Sequence, residues 1–245
     1  TGGVDGAFVW SLAEIAEDLA KLNLNVHIRS KELQFLHPER IRRVMQLEEC
    51  DMWVNKLVVD EKHQRVFVLW GTNVDTYDLK TGCRLNRMMH LHKATITGCV
   101  YYPRSMYLIT SDKKGIVTVS FASLHKKLVD GGEVEPPETK PLPVKHFTEH
   151  TKEVTGLVLH PRQGLLMSCS LDGTVSVLNL DTLHLVFQQG MRHWSGILGF
   201  MLHADQSRLV CFTQNGSVTV WKLMHTTQLF ALCQSTVMDL RAFPK

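Results

Sequence analysis

Two of the thirteen histidines in this 245-residue chain lie close enough in sequence to suggest metal chemistry. His90 and His92 would project from the same side of an extended strand, as two zinc ligands can. Neither a cysteine nor a carboxylate follows them at ligand spacing. We therefore expect no metal site.

A second candidate for chemistry is Ser195, which stands beside His193. No acidic residue is placed to orient that imidazole as a base, and the G-x-S-x-G nucleophile elbow is absent. The sequence also lacks a P-loop, a dinucleotide-binding glycine motif and a calcium loop. Acidic pairs such as Asp60 and Glu61 fall in turns, where we expect them to be solvated. The sequence predicts a protein that is not an enzyme and binds no cofactor.

The composition is that of an ordinary globular chain, with 44% apolar and 21% charged residues. The excess of positive charge is only +3 and is scattered, which argues against a nucleic-acid partner. Six cysteines stand tens of residues apart without a C-x-x-C pair, as expected in a reducing compartment. Runs long and apolar enough to cross a membrane do not occur, so we expect no membrane span. With the cysteine usage, the expected location is the cytoplasm, and the nucleus and the cilium are the other intracellular alternatives.

The elements that would position these side chains repeat along the chain. An apolar phrase that ends in a turn residue starts at residues 53, 96, 154, 197 and 237. A second phrase alternates apolar and polar residues after a turn, with valines at 74, 117, 175 and 218. The first phrase indicates a strand buried on both faces, and the second a hairpin strand. The separation of 21 residues between the two phrases is the same in all four complete copies.

Another apolar strand lies between the two phrases, and a fourth strand follows the second phrase. Four short antiparallel strands in about 43 residues are typical of a β-propeller blade. The sequence therefore predicts an all-β fold of such blades, with one short amphipathic helical insertion. The predicted divisions are the end of a first blade at 1–12 and 39–47, the helical insertion at 13–38, complete blades at 53–89, 96–148, 154–188 and 197–232, and the start of a further blade at 237–245.

These residues resemble the Trp-Asp (WD) repeat family over about 200 positions, as a segment of a larger member would. In that family a loop histidine, a strand Ser or Thr, a turn Asp and a strand Trp form a buried hydrogen-bonded set. The resemblance implies one set from His150, Ser170 and Asp172, and another from His92, Asp112 and either Thr110 or Ser111. A third set pairs His193 and Trp221 with Thr213 and Asn215. No blade has all four family residues. Leu178 replaces the Trp in the set of His150, Ser120 replaces it in the set of His92, and the set of Trp221 has Asn215 at the turn.

Two insertions interrupt the repeat, both between the third and fourth strands of a blade. In residues 13–38, Ile15, Leu19 and Leu22 follow helical spacing, and this face could contact either a partner or its own blade. Residues 129–143 are rich in Pro and Gly and predict a mobile surface loop. By family likeness, both insertions lie on the face opposite the histidine loops.

The resemblance implies a non-catalytic scaffold that binds other proteins and packs against further blades of the same parent chain. The loops of a propeller's rim differ from blade to blade and carry its specificity. The residues that we expect to contact a partner are Trp194, Lys93, Thr95, Lys113, Lys114, Lys152, Glu153 and Asn215.

One alternative is a substrate receptor of a cullin-type ubiquitin ligase, because many WD-repeat proteins have that role. Such receptors often carry Trp-Asp-x-Arg after the third strand, and residues 77–80 lack both the Trp and the Arg. A further alternative is a structural component of a cytoskeletal or ciliary assembly, whose large WD-repeat proteins have similarly degenerate blades and helical insertions.

Overall fold

The structure is a computed structural model whose regular elements, where it describes the chain, are all β-strands. The backbone is described for residues 2–3, 6–10, 41–45, 54–122, 138–139, 143–190, 196–203, 206–225 and 230–239. Side chains are described for residues 54–122, 143–188, 196–203 and 206–223. In that part of the chain no helix has the length and apolar character to cross a membrane. The helical insertion predicted at 13–38 lies outside the described residues.

Five sheets follow one another along the chain. The first contains β1 (Gly2–Gly3), β2 (Gly6–Trp10) and β3 (Ile41–Met45), and the second contains β4 (Val54–Asp60), β5 (Arg65–Trp70), β6 (Asn73–Asp78) and β7 (Arg84–Met88). The third contains β8 (Ile96–Tyr102), β9 (Tyr107–Asp112), β10 (Val117–Phe121) and β12 (Pro143–Phe147). The fourth contains β13 (Val154–His160), β14 (Leu165–Ser170), β15 (Thr174–Asn179) and β16 (His184–Gly190), and the fifth contains β17 (Ile197–Leu202), β18 (Arg208–Thr213), β19 (Ser217–His225) and β20 (Phe230–Asp239).

The third, fourth and fifth sheets each contain four antiparallel strands, and the second contains four antiparallel strands with one further strand at its edge. This confirms the predicted fold of four-stranded antiparallel blades. The innermost strands contact one another in order, β4 with β8, β8 with β13 and β13 with β17. In β8 and β13, which have an inner strand on each side, the first-phrase residues Ile96, Cys99, Val154 and Leu157 are buried. Between the fourth and fifth sheets, for example, Val175, Ile197 and Trp221 belong to one buried cluster. Stacking of this kind stabilises repeats through their contacts with neighbours.

The last strand differs from the prediction of a further blade that starts at residue 237. Residues 237–239 continue β20 and pair with the start of β19, with Asp239 opposite Ser217. The fourth strand of the fourth sheet ends in the same way, with Gly190 opposite Thr174, so residues 237–239 lie where the fourth strand of a blade ends. Residues 240–245 lie outside the described part.

The Pro- and Gly-rich segment also departs from a simple surface loop. The strand β11 (Glu138–Thr139) pairs in parallel with β7, with Glu138 opposite Arg87 and Thr139 opposite Met88. Part of the insertion of the third sheet thus covers the outer edge of the second. Covering an edge strand satisfies backbone groups that would otherwise be open to other chains.

A buried ion pair joins the second and third sheets. Asp60 accepts from Arg65 Nε at 2.8 Å, and both side chains are almost fully buried. The guanidinium also donates to Tyr101 Oη at 2.8 Å and to the carbonyl oxygen of Ala122 at 3.3 Å. The expectation that Asp60 is solvated is therefore wrong, because the neighbouring blade covers it.

Candidate interaction face around the histidine loops

In the third sheet, His92 reaches from the loop before β8 into the sheet. Its Nε2 lies 2.7 Å from Thr110 Oγ1, and its Nδ1 lies 3.0 Å from Asp112 Oδ2. A carboxylate can only accept, so Nδ1 carries the proton and Thr110 donates to Nε2. Thr110, rather than Ser111, is thus the strand member of this set.

In the fourth sheet, His150 occupies the same place but reaches its carboxylate through a hydroxyl group. Its Nε2 lies 2.8 Å from Ser168 Oγ, and its Nδ1 lies 2.6 Å from Thr174 Oγ1. Thr174 in turn donates to Asp172 Oδ1 at 2.5 Å, while Nδ1 is 3.8 Å from that carboxylate. The neutral imidazole therefore donates through Nδ1 to Thr174 and accepts from Ser168.

The prediction that Ser170 joins His150 is wrong. Ser170 Oγ donates to the carbonyl oxygen of Lys152 at 3.0 Å and accepts from the amide of Asp172 at 3.1 Å. The two serines lie on the same strand, but only Ser168 lies at the depth of the imidazole. A signal was present in the sequence, because Ser168 follows His150 by 18 residues, as Thr110 follows His92.

The carboxylates of Asp112 and Asp172 come from different positions at the turn between the second and third strands of their sheets. Asp112 pairs with Ile96 at the end of β9, where the fourth sheet has Ser170 paired with Val154. Asp112 Oδ1 also accepts from the amides of Lys114 and Ile116 at 2.9 and 3.0 Å. The Asp112 set therefore also fixes the turn between β9 and β10.

This turn lies directly against the next loop. Gly115 has φ +87°, and a Cβ there would lie 2.4 Å from the carbonyl oxygen of His150 and 2.8 Å from that of Lys152. On its other side, the amide of Lys113 donates to the carbonyl oxygen of Thr95 at 3.1 Å. Only glycine fits both the conformation and the space. The loops around residues 93–95, 112–115 and 150–153 thus form one continuous surface.

In the fifth sheet, the described members of the hydrogen-bonded set are Trp221, Thr213 and Asn215. Trp221 Nε1 donates to Thr219 Oγ1 at 3.1 Å, because the strand position of Thr110 and Ser168 is occupied by Cys211. Thr213 Oγ1 donates to Asn215 Oδ1, which also accepts from the amide of Ser217 at 3.0 Å. These groups close the turn between β18 and β19. His193 lies outside the described residues.

The electrostatics of the face follow from this burial. Burial lowers the pKa of His92 and of His150 below the ordinary 6.5, and the nearby carboxylates only partly oppose it. Burial would raise the pKa of Asp172, but hydrogen bonds from Thr174 and Thr151 outweigh it and hold that pKa below 3.8. At neutral pH the imidazoles are therefore uncharged, and lysines supply the positive charge of the surface.

Four predicted contact residues are exposed on these adjoining loops: Lys93, Lys113, Lys114 and Lys152. Within the described part of the chain, none of their ammonium groups forms an ion pair with a carboxylate. Thr95, Glu153 and Asn215 are partly buried, and the amide of Leu171 donates to the carbonyl oxygen of Glu153 at 3.0 Å. Trp194 lies outside the described residues. We call the surface formed by the four lysines the lysine face.

Asp78, the acidic residue of the segment 77–80, has a structural role in the second sheet. Asp78 Oδ1 accepts from the amides of Lys80 and Thr81 at 2.7 and 2.8 Å, so it closes the turn after β6. A turn-closing role explains Asp78 without a ubiquitin ligase, so the partial match of residues 77–80 gives that alternative no support. Among the described residues, no three His, Cys, Asp or Glu side chains converge as metal ligands would.

Four-stranded blades with buried histidine–hydroxyl–carboxylate sets resemble those of WD-repeat β-propellers. The family model described as "WD domain, G-beta repeat" matches residues 141–179, which include β13, β14 and β15. The computationally designed Ika4 protein has the same fold, with a TM-score of 0.55 and 17% identity over 72% of this chain and 95% of that one. The resemblance to the WD-repeat family is thus confirmed.

Two curated relatives are similar in sequence. "Target of rapamycin complex subunit wat1" of Schizosaccharomyces pombe is 23% identical over 184 residues, which cover 73% of this chain and 52% of that protein. "WD repeat-containing protein 97" of Homo sapiens is 25% identical over 130 residues, or 53% of this chain and 7% of that protein. The chain thus spans about half the length of the first relative and a small part of the second.

Proposed function

We propose that this chain is a non-catalytic scaffold that binds another protein of a multi-subunit assembly through the lysine face. Supporting this proposal, the relative from Schizosaccharomyces pombe is a subunit of a complex, and WD-repeat proteins act as interaction scaffolds. The observation that carries it is the set of four exposed lysines on loops held by buried hydrogen bonds.

The chemistry of the lysine face favours an acidic segment of the partner. Lys113 and Lys114 are adjacent in one turn, and Gly115 brings that turn against the loop that carries Lys152. Charges within a Debye length of about 8 Å at physiological salt add their attraction for an approaching anion. Because backbone hydrogen bonds already fix the loops, binding costs little loss of backbone conformational entropy.

The scaffold would act in the cytoplasm. Cys99, Cys169 and Cys211 are buried free thiols, and burial raises the pKa of Cys99 and Cys211 to about 12. Such thiols are unreactive and behave as small apolar side chains. This arrangement suits a reducing compartment, where no disulfide frame is needed.

A quantitative pull-down of the intact protein from cytoplasmic extract, analysed by mass spectrometry, tests the proposal. Lys113→Glu with Lys114→Glu should reduce recovery of a stoichiometric partner roughly tenfold, as expected when close charge pairs reverse sign. The matched control is Lys62→Glu with Lys80→Glu, which changes the net charge equally at exposed turns on the opposite side. The control should retain the partner.

The other outcomes are equally informative. Recovery that is unchanged in both double variants would remove the lysine face from the binding site. A partner lost only when residues 13–38 are deleted would place the site in that insertion instead. The absence of any stoichiometric partner would refute the scaffold and favour an enzyme.

A further inference from the structure

The backbone of His90 is left-handed, a conformation that residues with a Cβ rarely adopt. Its φ is +53°, and its side chain is exposed. Strain of this kind persists only where neighbouring groups hold the residue in place, and it is common at binding sites. His90 therefore differs from an ordinary exposed histidine.

The other left-handed residues with a Cβ in the described part of the chain are explained by turns of the repeat. Three lie in the turn between the first and second strands of a sheet: Gln64, Met106 and Gln206. The fourth, Leu183, lies in the turn between the third and fourth strands, at the place that Gly82 holds in the second sheet. All these turns lie at the ends of the sheets remote from the histidine loops. Within the described ranges, only His90 is left-handed in a histidine loop without being glycine.

Hydrogen bonds hold the loop of His90 against the second sheet. The amide of His90 donates to Asn73 Oδ1 at 2.8 Å, and Asn73 is buried. The amide of Leu91 donates to the carbonyl oxygen of Thr72 at 3.0 Å. The turn between β5 and β6 is only two residues long, so the loop of residues 90–95 lies directly over it. The position of the His90 backbone is thus set by the second sheet.

The side chain of His90 lies at the end of the lysine face. The two residues that follow it, Leu91 and His92, are buried, whereas His90 and Lys93 on either side of them are exposed. Both exposed side chains therefore leave the loop on its solvent side. A backbone hydrogen bond joins the same loop to the lysine-bearing turn of the third sheet. The short turn of the second sheet carries no lysine, so His90 extends the face over that sheet.

We propose that His90 is a further contact residue for the acidic segment of the partner. Its imidazole donates a hydrogen bond to a carboxylate of that segment at the second-sheet end of the lysine face. An imidazole carries at least one N–H donor in either charge state, so the contact does not require a protonated ring. The backbone of the loop needs no rearrangement, because its hydrogen bonds are already formed. The inference rests on the proposed function and adds a specificity contact to the same site.

Binding of a fluorescein-labelled polyglutamate peptide of about twelve residues, measured by fluorescence anisotropy at low salt, tests the inference. His90→Gly should weaken binding about three- to tenfold, as expected for the loss of one hydrogen bond to a charged group. Glycine suits a φ of +53°, so the thermal midpoint should not fall. The control Gln64→Gly makes the same change at an exposed residue of φ +51° on the opposite side, and the affinity should not change.

Chemical protection of the imidazole separates a contact of the side chain from a loosening of the loop by glycine. Diethyl pyrocarbonate acylates exposed imidazoles, and mass spectrometry gives the rate at each histidine. Bound peptide should slow the acylation of His90 several-fold in the unaltered chain. His184 is the internal control, because it is exposed at the start of β16, at the end of the sheet remote from the lysine face.

The outcomes distinguish this contact from the proposed function. Unchanged affinity in His90→Gly, or no protection of His90 by bound peptide, would overturn the inference. If Lys113→Glu with Lys114→Glu nevertheless abolishes peptide binding, the proposed function stands without His90. An unaltered chain that does not bind the peptide would refute the acidic partner, and the His90 contact with it.

Discussion

The side chain of Asp112 should be among the most important for the stability of the chain. Its carboxylate is fully buried and accepts three hydrogen bonds, from His92 Nδ1 at 3.0 Å and from the amides of Lys114 and Ile116 at 2.9 and 3.0 Å. Asp112→Ala leaves all three donors without their acceptor. At roughly 1 kcal/mol or more for each charge-assisted bond, we expect a loss of about 3–5 kcal/mol. That is a large part of the ~5–15 kcal/mol typical of a domain.

Urea unfolding at pH 7.5, followed by circular dichroism, measures this loss. Asp112→Asn should cost less, about 1–2 kcal/mol, because an amide oxygen can still accept from the turn. The control Asp181→Ala removes an exposed turn carboxylate and should change the free energy of unfolding by less than about 0.5 kcal/mol. If Asp112→Ala is no more damaging than this control, the buried set does not stabilise the third sheet as we have argued.

Two further predictions concern the histidine sets. Double-mutant cycles with His150→Phe should give a coupling energy of about 1 kcal/mol for Ser168→Ala and roughly 0.3 kcal/mol or less for Ser170→Ala, and the reverse order would contradict the assigned contacts. The free energy of unfolding should also fall as the pH drops from 7.5 to 5.5. Burial lowers the pKa of His92 and His150 in the folded chain below 6.5, so the unfolded chain gains more protons there than the folded chain does. The slope can reach about 1.4 kcal/mol per pH unit for each histidine, and His92→Gln with His150→Gln should flatten a profile measured by urea unfolding.

The repeat made the strands predictable. The alternation after each turn depends only on local sequence, and the second phrases that follow residues 115 and 173 form β10 and β15. Strand ends were less predictable than the strands themselves. Val237 and Met238 look like the start of a first phrase in the sequence, and only their pairing with β19 assigns them to β20.

The histidine sets were predictable only in part, because register decides which hydroxyl group a histidine meets. The family likeness placed Ser170 beside His150, but Ser170 pairs with Val154, and the hydroxyl group that meets the imidazole is that of Ser168, two residues earlier. Spacing from the histidine itself would have found Ser168. The relay from His150 through Thr174 to Asp172 could not be found from the family pattern, which has no threonine between them.

The buried ion pair could not be predicted at all. Asp60 and Arg65 flank an ordinary turn in the sequence, and both would be solvated in an isolated blade. Their burial comes from Tyr101 and Ala122 of the next sheet. Contacts between blades depend on residues about 40 to 60 positions apart, and no local pattern reports them.

The lysine face differs from the buried ion pair in what fixes its shape. Hydrogen bonds within the third and fourth sheets hold its loops in place. Screening by salt weakens attraction between exposed charges. Recovery of a partner bound at the lysine face should therefore fall as the salt concentration rises.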